Sequence, residues 1–173
     1  MSFASAISPF DSERENWWSK KNSKLASRIC NLGQFVRSMR VQMRFGELTR
    51  APLRMIRVQL VDGIAECDWV ARPPDVWDRD LRPEIGQRHA SIQALEDAVN
   101  VRGLLFEMLP DLDTAYLRIY RESSGHSPEM IISGHVHRSA PYFRNVHSIA
   151  MRAKLLGFRF TLDNDILGSC TAE

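Results

Sequence analysis

The sequence predicts an α+β fold: a small antiparallel or mixed sheet with helices packed on one face, an N-terminal basic amphipathic helix and an added β-hairpin. Three observations predict it. Apolar residues recur at helical spacing over 17–43, 91–109 and 139–156. Strict alternation marks 114–121 and continues over 129–137. Asp62-Gly63 lies between two strand-like runs, 53–60 and 64–71, and an Asp-Gly pair in that setting is the strongest short hairpin signal.

Taken in order, Ser2 to Ser12 is a polar, loosely held start. Trp18, Leu25, Ile29, Leu32, Val36, Met39 and Met43 then follow one another at steps of three and four, with polar Asn22 filling the remaining slot. That spacing gives one apolar stripe on a helix. Gly33 inside it weakens the helix by about 1 kcal/mol relative to Ala, which allows a break into two. Lys20, Lys21, Lys24, Arg28, Arg37, Arg40 and Arg44 cover the other faces. Three destinations stay open for this helix. Its stripe can pack on the domain or on a second copy, its cations can meet nucleic-acid phosphates, or Trp17-Trp18 and the basic face can rest on an anionic membrane.

In the hairpin, Cys67 and Trp69 alternate with Glu66 and Asp68, so the first pair faces a core. The acidic pair is then exposed and placed for cross-strand pairing with Arg54 or Arg57. Residues 72–86 read as a turn-and-linker because Pro73, Pro74 and Pro83 resist regular pairing. Trp77 is expected to pin this loop to the domain, and the aspartates around it lack the spacing of a calcium loop. Ser91 is a plausible N-cap for a helix that Pro110 stops, with Ile92, Leu95, Val99, Phe106 and Leu109 on its apolar face. On the next strand Ala115, Leu117 and Ile119 point one way, and Tyr116, Arg118 and Tyr120 the other. After the turn at 123–128, Met130, Ile132, Gly134 and Val136 continue the buried face. Ile131, Ser133, His135 and His137 lie opposite. Ser139 caps a second helix with Pro141 in its first turn, and Gly157 ends it. Phe158, Phe160 and Leu162 point inward on a last strand that leaves Arg159 and Thr161 outward, and Asp163 to Glu173 is a tail. The division is therefore a helical segment over 1–50 and an α+β domain over 51–173.

Composition narrows the class. A chain of 173 residues, 44% hydrophobic and 25% charged, can bury a core without disulfides. Its three scattered cysteines argue for a reducing compartment. With no signal-like start and no apolar run of membrane-spanning length, a cytoplasmic location is expected. Net charge is +2, but residues 14–57 hold eleven basic residues against Glu15 and Glu47, whereas residues 58–113 hold twelve acidic against five basic. Those two regions attract each other or different partners.

The unit over 91–162 is a helix, a strand, a turn, the strand Ile131-Ile132-Ser133-Gly134-His135-Val136, a helix, and Leu156-Gly157-Phe158 opening a last strand. This pattern resembles a BON-type module, a family in which a Leu-x-Gly-x-Val run precedes the second helix and a Gly-Val step opens the third strand. The resemblance implies a non-enzymatic module that binds lipid surfaces or other proteins. The chain departs from the family in lacking a signal and in adding the hairpin over 53–71.

Candidate chemistry lies on the sheet face away from the helices, where Tyr116, Arg118, Tyr120, His135, His137 and Arg159 form a partner-binding surface. Tyrosine and arginine suit protein hot spots and also base stacking. His135 and His137 could hold a metal together with His126 or His147, with only Glu122 and Glu129 as local candidates for a carboxylate base, but exposed histidine pairs are usually just solvated. Neither Ser133 nor Cys67 stands on a nucleophile turn. The sequence thus points to a non-catalytic interaction or assembly module, a scaffold or adaptor without cofactor that associates with protein and forms homo-oligomers or larger assemblies. Nucleic-acid binding and peripheral membrane contact follow in that order.

Overall fold

The computed structural model describes residues 32–37, 53–61, 63–122, 127–139, 143 and 145–171. Of the basic amphipathic helix only 32–37 fall within them. These are helical (α1), with Phe35 buried in the core and Leu32 and Val36 packed against it. Lys20, Lys21, Lys24, Arg28, Arg40 and Arg44, as well as His126 and Cys30, lie outside the described residues.

Five strands form one mixed sheet in the order β1 (Arg54–Val61), β2 (Ile64–Val70), β3 (Thr114–Arg121), β4 (Glu129–His137) and β5 (Phe158–Arg159). Only β2 and β3 run parallel. Parallel neighbours need a long crossover, and α2 (Pro83–Met108) supplies it. The hairpin is therefore part of the sheet and forms its β1 edge. Ala65, Cys67 and Trp69 register with Ala115, Leu117 and Ile119, making one continuous apolar surface that an isolated hairpin could not bury. Ile132, Val136 and Phe158 extend it, and α2 and α3 (Ile149–Leu155) are part of the same core.

Helix α2 begins at Pro83, eight residues before the predicted start, so 83–86 belong to a helix and 76–80 to a short 3-10 turn. Proline at the first helical position lacks only an N–H that would have no partner there. Ser91 is an interior residue. Its hydroxyl donates to the Gln87 carbonyl (2.8 Å) and accepts from the Leu167 N–H (3.0 Å). The buried side of α2 includes Ala94, Leu95, Ala98, Val101 and Leu105, while the expected core residue Ile92 is exposed. Arg72, just past β2, meets Asp97 of α2 in an ion pair at 3.0 Å with side chains only 5% and 2% exposed. Gln93 donates to the same carboxylate at 2.9 Å. The helix ends at Leu109. There Arg138 donates to the Leu109 and Leu112 carbonyls (2.5 and 2.8 Å), placing a cation where carbonyls gather.

Between β3 and β4 the register steps from Ile119↔Ile132 to Tyr120↔Met130. Ile131 is thus the extra residue of a bulge, and it turns into the core, contrary to the expected alternation. Met130 takes the side occupied by its partner Tyr120. The second helix also starts later than expected, at Ile149, where the Ser148 hydroxyl accepts from the Met151 N–H (3.3 Å). Phe143 extends the apolar stripe upstream and packs on the core from non-helical backbone, which is why spacing alone placed the start at Ser139. Gly157 ends the helix at φ +98°, where a Cβ would lie 2.6 Å from the His135 carbonyl oxygen.

The C-terminal stretch is a second hairpin, and the expectation of a tail is corrected. β6 (Leu162–Asp163) and β7 (Ile166–Leu167) turn through Asn164 and Asp165, both at positive φ (49° and 65°) as a tight hairpin turn requires. Leu167 enters the core, whereas Leu162 is exposed. Further on, the Cys170 N–H donates to the Met130 carbonyl at 2.8 Å.

Candidate functional site

The pleat, the bulge at Ile131 and a second one at Ile56, where the β1–β2 register steps from Met55↔Trp69 to Arg57↔Asp68, sort the polar residues of the sheet onto the face away from the main core. Across the strands they form rows: Gln59, Glu66, Tyr116 and His135; then Arg57, Asp68, Arg118, Ser133 and Arg159; then Val70, Tyr120 and Met130. All six residues of the predicted surface, Tyr116, Arg118, Tyr120, His135, His137 and Arg159, come from β3, β4 and β5 on this side.

An ion network centred on β2 holds the middle of the face. Arg118 donates to Asp68 (2.7 Å) and Glu66 (3.0 Å), and Arg57 reaches Asp68 and Glu66 at 3.0 Å each. Gln59 adds a hydrogen bond to Glu66 at 3.1 Å. Two arginines thus meet two carboxylates, and the expected pairing of Arg57 is present. Arg54 pairs instead with Glu122. The acidic pair is less exposed than alternation suggested, since the Asp68 side chain is only 7% exposed. Burial raises the Asp68 carboxyl above the ordinary carboxylate value, with the Arg57 charge pulling the other way. The Tyr120 phenol is also raised, first by burial and then by the Asp68 charge.

Aromatic rings flank the network. The Arg118 guanidinium lies 4.9 Å from the Tyr116 ring centre. Tyr116, His135 and His137 form a chain with ring centres 6.5 and 5.0 Å apart. His135 and His137 are exposed, and His137 Nδ1 lies 3.3 Å from the Thr114 hydroxyl. Ser133, expected on the open surface, is buried with its hydroxyl 3.7 Å from Cys170 Sγ. His147 is exposed ahead of α3. Among the described residues no three His, Cys, Asp or Glu side chains converge as a metal site.

A second concavity had no sequence signal beyond its prolines and tryptophan. Residues 72–79 arch over α2 and enclose about 560 Å³ against His89, Ala90, Ile92, Gln93 and Glu96. Trp77 does not pin this loop to the domain. It is 75% exposed, the most exposed large hydrophobic side chain among the described residues. The loop is held by its own polar groups: Asp75 accepts from the Trp77 N–H at 3.2 Å, and Asp78 contacts His89 Nδ1 at 3.0 Å. On the other side of Arg72-Pro73-Pro74 lies a smaller cavity of about 250 Å³, bordered by Ser91, Arg121 and Ile131.

No helix among the described residues is long and apolar enough to cross a membrane. Comparison with known protein families, with curated proteins and with solved structures returns no match for this chain.

Proposed function

We propose that the chain is a non-catalytic assembly module whose polar sheet face docks against a second copy of itself. The observation that carries this reading is the charge balance of that face. Arg57 and Arg118 are matched by Glu66 and Asp68 at 2.7–3.0 Å, so the centres of two such faces can approach without net repulsion. Tyr116, Tyr120 and Met130 supply contact area, and tyrosine gives much surface for little lost conformational freedom. A twofold pairing uses the same patch on both partners, which a neutral network at its centre tolerates.

Nucleic acid is the weaker reading for this face. Phosphates would have to displace Glu66 and Asp68 from the arginines, exchanging charge-assisted bonds already made.

The test is mass in solution, measured by light scattering for the native chain and for Tyr116→Glu. The native chain is expected to exceed 19.8 kDa increasingly as concentration rises, and the variant to stay at the monomer mass. A native monomer throughout, or an unchanged assembly in Tyr116→Glu, overturns the proposal.

A further inference from the structure

The arch of residues 72–79 encloses its cavity with features that the sheet-face reading does not use. Val76, Trp77 and Ile92 are all exposed, and all line this one cavity together with Pro73 and Pro74. An indole left in water forgoes more burial than any other side chain could gain. Clustered exposed apolar groups mark contact sites more often than scattered ones. Charge supplies the second element. Asp75, Asp78 and Glu96 also line the cavity, while Arg72 is taken up by Asp97. With Asp97 counted, four carboxylates stand against Arg72 and Arg79, Asp78 among them meeting His89 Nδ1 at 3.0 Å and Asp75 the Trp77 N–H at 3.2 Å.

We infer that this groove binds a peptide segment rich in lysine and arginine with aliphatic residues between them. A cationic side chain would lie over the exposed Trp77 ring, as an ammonium or guanidinium favours an indole face. The carboxylates of the rim would meet its neighbours, and Val76 and Ile92 would take the aliphatic positions. The chain carries a segment of this chemistry in Lys20-Lys21-Asn22-Ser23-Lys24-Leu25-Ala26-Ser27-Arg28. Its charge is opposite to that of the region holding the groove, since residues 14–57 are strongly basic and residues 58–113 acidic. Attraction of this kind speeds encounter and selects against acidic partners.

The probe is a synthetic peptide of residues 20–28, titrated calorimetrically into the full chain and into a full chain with Lys20, Lys21, Lys24 and Arg28 changed to Gln. The second receptor cannot fill the groove with its own basic segment. It is expected to bind the peptide, with affinity falling as salt rises. Trp77→Ala and Glu96→Lys, each made in that receptor, are expected to weaken binding about tenfold, the loss usual for a contact hot spot. Tyr116→Glu, on the sheet face, should leave it unchanged, separating this site from the assembly surface. The inference is overturned if the Gln-substituted receptor does not bind. It is equally overturned if a peptide with all four basic residues replaced by Gln binds as well, or if Trp77→Ala and Glu96→Lys have no effect.

Discussion

Replacing Arg118 with Met tests whether the sheet-face network is a structural unit. The side chain is 18% exposed and donates to both Asp68 and Glu66. Its loss leaves Asp68, almost buried, with Arg57 alone, while Glu66 can regain water. A charge-assisted bond contributes about 1.5–3 kcal/mol, and the stranded acid adds its own desolvation cost. Because Glu66 is partly solvated, we expect a net destabilisation of about 2 kcal/mol for Arg118→Met, near the lower part of that range. Asp68→Leu alone should cost a similar amount, since Arg57 and Arg118 each lose one carboxylate and share Glu66. The double variant should cost less than the sum, since Arg57 and Glu66 still pair at 3.0 Å and no partner is orphaned. Urea unfolding of the four proteins gives the coupling, expected at about 1–2 kcal/mol. Additive losses, or an Arg118→Met change within about 0.5 kcal/mol as at ordinary surface sites, would refute the idea that these charges hold one another.

Further predictions follow from other parts of the fold. Burial and the neighbouring Asp68 charge push the Cys67 thiol up to about 12 from 9.0. Below pH 9 the thiol is protonated whether the chain is folded or not, so it contributes nothing to pH dependence. Above pH 9 the unfolded thiol ionises first, and stability falls by about 1.4 kcal/mol per pH unit. Cys67→Val should lose that increment of slope relative to the native chain in alkaline urea titrations. Arg72→Met takes the ion-pair partner from a carboxylate that is only 2% exposed, and should destabilise by about 3 kcal/mol or more, measured by the same unfolding assay. Leu167→Ala should cost about 2–5 kcal/mol if the C-terminal hairpin seals the core. A loss near zero in thermal melts would return that segment to the status of a tail.

The α+β class and the sided sheet were legible because they rest on period. Leu117, Ile132 and Phe160 are buried, as alternation and spacing required. What alternation could not show was interruption. The bulge at Ile131 reverses one residue's side, and nothing in Met130-Ile131-Ile132 distinguishes a bulge from a regular strand. Pro83 resists strand pairing, but a proline followed by Glu84 is also a helix start. The Ser91 hydroxyl has the chemistry of a cap. In the fold that hydroxyl instead bridges the helix to Leu167, a partner 76 residues away. That Tyr116, Arg118, Tyr120, His135, His137 and Arg159 share one face follows from pleat parity alone. The arch at 72–79 does not, because its cavity depends on the Arg72–Asp97 pair and on a helix that begins earlier than Ser91.

Self-docking through the sheet face is tested most directly by the accessibility of its histidines. His135 and His137 stand on that face, whereas His89 and His147 stand away from it, and all four are exposed in the single chain. Diethylpyrocarbonate modification, followed residue by residue as protein concentration rises from micromolar to millimolar, should slow at His135 and His137 and hold constant at His89 and His147. Equal rates at all four, at every concentration, would contradict assembly through this face.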